Sequence, residues 1–172
     1  MGMPRLLLLR GATGSGKSSV AARVKSRYPD VEVIEVDDIK LRKYGTTVQC
    51  NPDEDFPEAG RRAADSLAAG RPTVVVETFR DEEHLRSVLS TAGLDLDSPN
   101  VCVAWLECSL DTSLHRKAAA LSPETIRHEH TRCSERFHVQ GEHVINTDSA
   151  DPSDLASRLL HVLLGNQDAG PD

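Results

Sequence analysis

A chain of 172 residues with a net charge of −7 is long enough to bury a proper core, and too acidic for a constitutive nucleic-acid or anionic-membrane binder, which needs a positive field. Its 38% apolar and 27% charged residues are ordinary for a globular protein, and with aromatics at 3% the core must be aliphatic.

Short apolar runs alternate with helical patterns along the chain. Arg5–Leu9 is the first run, and Lys17–Arg27 reads as the helix after it. Val31–Val36 is the second run, followed by a short helical stretch, Ile39–Lys43, that Asp37 or, better, Asp38 could cap. Thr46–Pro57 is polar, carries two prolines and is expected to be a loop. Glu58–Ala69 reads as a helix stopped at Gly70, with Pro72 beyond. Thr73–Val76 is the third run, and Asp81–Ala92 is a helix with Leu85, Val88, Leu89 and Ala92 on one face. Val101–Leu106 is the fourth run, with Trp105 inside it as a core residue. Ser122-Pro123 opens a further helix, in which Arg127 and His130 share one face, and His128 and Arg132 another. His143–Ile145 is the fifth run; Asp151-Pro152 starts a last helix, Ser153–Leu164, with a stripe of Leu155, Leu159, Val162 and Leu163. The domain is expected over 1–165, with 166–172 a flexible tail.

The runs are continuous in Val, Leu and Ile rather than alternating, as in strands covered on both faces. Strand–helix alternation of this kind predicts an α/β fold in three layers, a five-stranded parallel sheet flanked by helices. Cys50, Cys102, Cys108 and Cys133 form no C-x-x-C, and Cys102 and Cys108 read as core filler. With no signal peptide and no membrane-length apolar segment, the expected location is the cytoplasm, and no membrane partner is expected. His128-x-His130 has no third ligand in view and is read as surface or lid rather than metal.

The stretch Gly11-Ala12-Thr13-Gly14-Ser15-Gly16-Lys17-Ser18 fits G-x-x-x-x-G-K-[ST], between a predicted strand and a predicted helix. Glycines let successive N–H groups turn inward onto phosphate oxygens, and the helix adds the positive end of its dipole. Gly11 to Ser19 are thus the nucleotide-binding candidates: Lys17 would reach the β- and γ-phosphates, and Ser18 would ligate Mg²⁺. No N-K-x-D guanine motif follows, since Asn146-Thr-Asp148 lacks the lysine, so ATP is the expected nucleotide.

In the order of its parts, from Leu6 to about Leu164, the chain resembles the P-loop kinases related to polynucleotide 5′-kinase, to chloramphenicol phosphotransferase and to the zeta-toxin type. The resemblance rests on the P-loop, on Val33-Ile-Glu-Val-Asp37-Asp38, on Val74-Val-Val-Glu77-Thr78, on Ser109–Lys117 after the fourth strand and on Pro123-Glu124. It implies ATP- and Mg²⁺-dependent transfer of a phosphoryl group to a hydroxyl. Asp37, on the rim where open α/β sheets build their sites, becomes the candidate general base. Glu77 could hold a Mg²⁺-bound water or, with Thr78, Lys40 and Arg42, meet the acceptor. Arg116, with Lys117 and Arg127, belongs to a basic lid at about 116–127, Arg116 facing the moving phosphoryl group. Tyr44 and Phe56 fall where such kinases bind acceptors, while Arg61 and Arg62 are read as balancing Asp53–Asp55.

Two departures matter. Where polynucleotide kinases carry an arginine three residues after the base, this chain has Lys40, a point charge without the bidentate fork. Where their lid carries a second arginine, it has Ala120, and Arg127 and Arg132 are the candidates to stand in. A small-molecule acceptor is therefore expected ahead of a nucleic-acid 5′ end, and a non-catalytic ATP-binding module is the reading from another class.

Overall fold

The computed structural model describes residues 5–164; the proposed tail over 166–172 lies outside them. Five strands and seven helices alternate among the described residues: β1 (Leu6–Gly11), α1 (Lys17–Arg27), β2 (Glu32–Glu35), α2 (Val36–Tyr44), α3 (Pro52–Ala68), β3 (Thr73–Val76), α4 (Glu82–Thr91), β4 (Val101–Glu107), α5 (Leu110–Lys117), α6 (Pro123–Ser134), β5 (His143–Asn146) and α7 (Pro152–Leu164). The strands form one parallel sheet in the order β2-β3-β1-β4-β5, with Leu6–Leu9 paired to Thr73–Val76 on one side and to Val101–Ala104 on the other.

Period-two geometry then divides β1 between two cores. Leu7 and Leu9 pack with Val20 and Val24 of α1 and with Leu155, Leu159 and Leu163 of α7. Leu6 and Leu8 pack on the opposite face with Ile39, Phe56, Ala63, Leu85 and Leu89, from α2, α3 and α4. All six residues of β1 are buried, as a central strand covered on both faces requires. At about 1.5–3 kcal/mol for each fully buried Leu or Val, this central strand is the main apolar seam of the domain. Among the described residues, no helix is long and apolar enough to cross a membrane.

Helix α3 corrects the expected loop over Thr46–Pro57, because it starts at Pro52, well before the expected Glu58. Proline at the first helical position costs no hydrogen bond. The start is fixed by Asp55, whose fully buried carboxylate accepts from the Asn51 N–H (2.8 Å), Lys43 Nζ (3.0 Å) and Tyr44 Oη (3.1 Å). Burial alone would raise that carboxyl's pKa, but the Asn51 amide, Lys43 and Tyr44 outweigh it and hold the group below its ordinary value. Arg61 and Arg62 pair with Glu58 on their own helix rather than with the Asp53–Asp55 segment. Further along α3, Gly60 lies hard against α4: a Cβ there would stand 2.5 Å from the Val88 carbonyl and 2.7 Å from Thr91 Cβ.

Trp105 is buried as expected, but in charged company. The Arg10 guanidinium, itself fully buried, lies 5.0 Å from the Trp105 ring and 3.9 Å from that of Phe137, and Arg136 lies 4.1 Å from Trp105. Glu142 answers both cations, at 3.3 Å from Arg10 Nη1 and 2.6 Å from Arg136 Nη1. Burial brings the Arg10 pKa down to about 10, with Glu142 working against that fall and Arg136 adding to it. Cys102 is half-buried and Cys108 buried, as core filler would be.

Candidate active site

The chain leaves β1 at Gly11 and re-enters regular structure at Lys17, and between them it wraps a cavity of about 470 Å³. Thr13, Gly14, Gly16, Lys17, Ser18 and Ser19 line it, while Gly11, Ala12 and Ser15 lie buried. Two left-handed glycines make the turn: Gly14 (φ 81°), whose Cβ would strike Ser113 Oγ at 2.7 Å, and Gly16 (φ 93°). Lys17 folds over the loop, donating to the carbonyls of Gly11 (2.7 Å) and Ala12 (3.0 Å). Its burial lowers the ammonium pKa, opposed chiefly by the charge of Glu77. The fully buried Ser15 Oγ has no hydrogen-bond partner. Left-handed glycine turns at a helix start, a buried hydroxyl without a partner and a half-buried cation together fit a phosphate chain.

Acids from two strand ends face this cradle. Glu35, the last residue of β2, accepts from Ser18 Oγ at 2.8 Å. Asp37 lies in the first turn of α2 rather than on the strand, because the helix begins at Val36. Glu35 occupies the N-cap position without a side-chain cap bond, so neither Asp37 nor Asp38 is the cap, and both sit in the first turn. Glu77 follows β3, and Lys40, from the next turn of α2, joins the two acids: its Nζ is 2.6 Å from Glu77 and 3.1 Å from Asp37. Burial pushes the Glu77 carboxyl up, yet the Lys40 ammonium, its hydrogen bond and the Thr78 N–H (2.7 Å) hold it below its ordinary value. The same pairing overcomes desolvation and raises Lys40.

Asp37, Glu77, Thr78 and Thr13 also border a second cavity of about 450 Å³, so Asp37 stands on the wall between the two. Phe56 and Lys40 line this second space, as do Phe79, Arg80 and His84 from beyond β3. Phe79 holds a left-handed backbone (φ 44°), a conformation costly for a bulky residue that clusters at functional sites. Tyr44 is turned instead onto Asp55.

The basic residues separate. Arg116 lines the P-loop cavity with Lys117, but its guanidinium is lashed to the Gly14 carbonyl (3.1 Å) and to Thr147, at Oγ1 (3.1 Å) and the carbonyl (2.6 Å). Arg42 donates to the Asp38 carbonyl and borders a groove along β2, away from the P-loop cavity. Arg127 is exposed on α6 and lines neither cavity. Ser122 caps α6 as expected, its hydroxyl accepting from the Thr125 N–H.

A sequence model of the AAA domain matches residues 6–137, from β1 through α6. The chain belongs to the AAA domain family. This AAA-domain chain has the fold of several solved proteins, kinases among them. A gluconokinase from Sinorhizobium meliloti 1021 superposes with a TM-score of 0.62 at 16% identity, covering 95% of this chain and 94% of its own. A tunicamycin resistance protein of Deinococcus radiodurans gives 0.65 at 21%, covering 94% and 96%. Shikimate kinase from Acinetobacter baumannii, solved with shikimate, gives 0.59 at 18%, covering 95% of each chain. No curated protein sequence matches it.

Three residues of this AAA-domain site were missed in the sequence. Glu35 passes there as one more strand residue, although its spacing to Asp37 was a usable signal: two acids, two apart, at the end of a strand aimed at a P-loop. Ser113, fully buried on α5, donates to the Thr13 carbonyl at 2.6 Å. Thr147, also fully buried, donates to the Ser15 carbonyl at 3.0 Å. These two brace the loop from far along the chain, and no local pattern announces a contact across that separation.

Proposed function

We propose that the protein is an ATP-dependent phosphotransferase that moves the γ-phosphoryl group to a hydroxyl of a small molecule. The observation that carries this reading is Asp37, a half-exposed carboxylate on the wall shared by a phosphate cradle and a second, polar cavity. The triphosphate would lie in the first cavity against the P-loop amides and Lys17, and the acceptor in the second. The acceptor hydroxyl would give its proton to the Asp37 carboxylate while its oxygen bonds the γ-phosphorus. The bond to the β,γ-bridging oxygen breaks, and its electron pair leaves with ADP. Phosphoryl transfer needs chiefly positioning and charge neutralisation, which Lys17 and the P-loop amides supply.

The oxygen set fits Mg²⁺, a hard cation that keeps several waters: Ser18 Oγ would be a direct ligand and Glu35, its partner at 2.8 Å, would hold a coordinated water. When bound, the ion would neutralise charge on the β- and γ-phosphates. Glu77, already saturated by Lys40 and the Thr78 amide, serves this reading better as the group that fixes Lys40 beside Asp37. Arg116, tied to Gly14 and Thr147, would steady the loop from the nucleotide side.

A small molecule is favoured over a nucleic-acid 5′ end because the cations of the second cavity are both in ion pairs rather than open to a phosphodiester. Lys40 is held by two acids, and Arg42 and Arg127 lie off the site. Incubation of the purified protein with Mg-ATP and sugars, nucleosides, aminoglycosides, amphenicols and 5′-OH RNA tests the proposal. The expected result is labelling of a small molecule that Lys17→Ala abolishes. Salt-sensitive labelling of RNA alone would transfer the assignment to a polynucleotide kinase, and ATP binding without any transfer would make the protein a regulatory module.

A further inference from the structure

The second cavity has an electrostatic character that narrows the acceptor. Its charged lining consists of the carboxylates Asp37, Glu77, Asp81 and Glu129 and the cations Lys40 and Arg80. Four negative groups against two positive ones leave a charge of −2, with His84 counted neutral. Both cations are paired. Lys40 is shared by Glu77 and Asp37, and Arg80 Nη1 lies 2.6 Å from Glu129 Oε2, tying the turn after β3 to α6. Two carboxylates keep open faces: the side chain of Asp37 is 54% exposed and that of Asp81 65%, the latter 3.6 Å from His84. Behind these open carboxylates the wall is packed, the buried Phe56 ring stacking on His84 at 4.3 Å.

An acceptor that brought in a carboxylate or phosphate would meet this negative field, and each cation it met would already share its charge with Glu77, Asp37 or Glu129. An ammonium would find the Asp81 carboxylate ready. We infer that the acceptor is an alcohol bearing no anionic group, and that an amine-bearing acceptor is preferred to its neutral counterpart. This rests on the phosphotransferase reading and specifies its substrate class.

The test compares kcat/KM with Mg-ATP across sets that differ only in charge: gluconate, sorbitol and glucamine; glucuronate, glucose and 6-amino-6-deoxyglucose; and kanamycin beside its N-acetylated form. The expected order is amine, then neutral, then anion, with about tenfold or more between the amine and the anion. Glu129→Gln, which frees Arg80, should shift the ratio about tenfold towards the anion, and Asp81→Asn should remove most of the amine preference. An anionic acceptor that outruns its neutral and amine partners overturns the inference and leaves the phosphotransferase intact. Transfer to nothing in the panel, with binding of a non-hydrolysable ATP analogue retained, brings down the phosphotransferase reading and the inference with it.

Discussion

Asp37→Asn is expected to lower the rate of phosphoryl transfer by about 10²–10⁴-fold while leaving nucleotide binding nearly unchanged. The size follows from what the side chain is asked to do. A hydroxyl has to lose its proton as the new P–O bond forms, and an amide of the same shape cannot accept that proton. Binding is spared because Asp37 sits outside the P-loop, in the first turn of α2, and its partner Lys40 keeps the shorter bond to Glu77. The substitution should cost little stability, since Asp37 is half-exposed and α2 is anchored by buried Val36 and Ile39. Single-turnover transfer, measured beside the affinity for a non-hydrolysable analogue, separates the two effects. A variant that transfers at the parent rate would remove Asp37 from the role of base.

The largest stability effect should come from a residue remote from the chemistry. Glu142→Ala is expected to destabilise the fold by about 3–5 kcal/mol, because it strands two buried guanidinium groups. Arg10 is fully buried and Arg136 nearly so, and both lie against Trp105, so the variant would leave two like charges beside one indole with no carboxylate to answer them. Arg10 already has its pKa reduced to about 10 by burial, even with Glu142 opposing the fall. Glu142→Gln should lose less, since the amide oxygen can still accept from one arginine. Urea unfolding of the three proteins gives the comparison, and a loss below about 1 kcal/mol for the alanine variant would show that water reaches the cluster.

The parts legible in the sequence share a physical reason: their signal is local. The run Leu6–Leu9 gave the central strand, and the G-x-x-x-x-G-K-S spacing gave the phosphate cradle, because continuous burial and left-handed turns both leave residue-by-residue traces. The expectation for Thr46–Pro57 failed because two prolines speak locally for a loop, whereas the start of α3 is fixed by a buried carboxylate reaching back to Lys43 and Tyr44. The expected caps at Asp37 and Asp38 failed by a small margin of register: α2 begins directly at Val36, with no connecting turn after β2. The basic lid was legible as composition and not as placement. Arg116 and Lys117 reach the cavity and Arg127 does not, a difference set by how α5 and α6 pack rather than by their charges.

Gly60 gives the side of the molecule that holds the second cavity an unseen gauge. It touches α4 at Val88, and one helical turn before each contact point stand Phe56 and His84, the two rings stacked beside the second cavity. The bare backbone contact therefore works as a fulcrum, and the spacing of the rings is set where no ligand could reach. A single methyl group at that fulcrum would force the two helices apart and unsettle the stack beside the second cavity, so the shape of that wall depends on an atom the chain lacks.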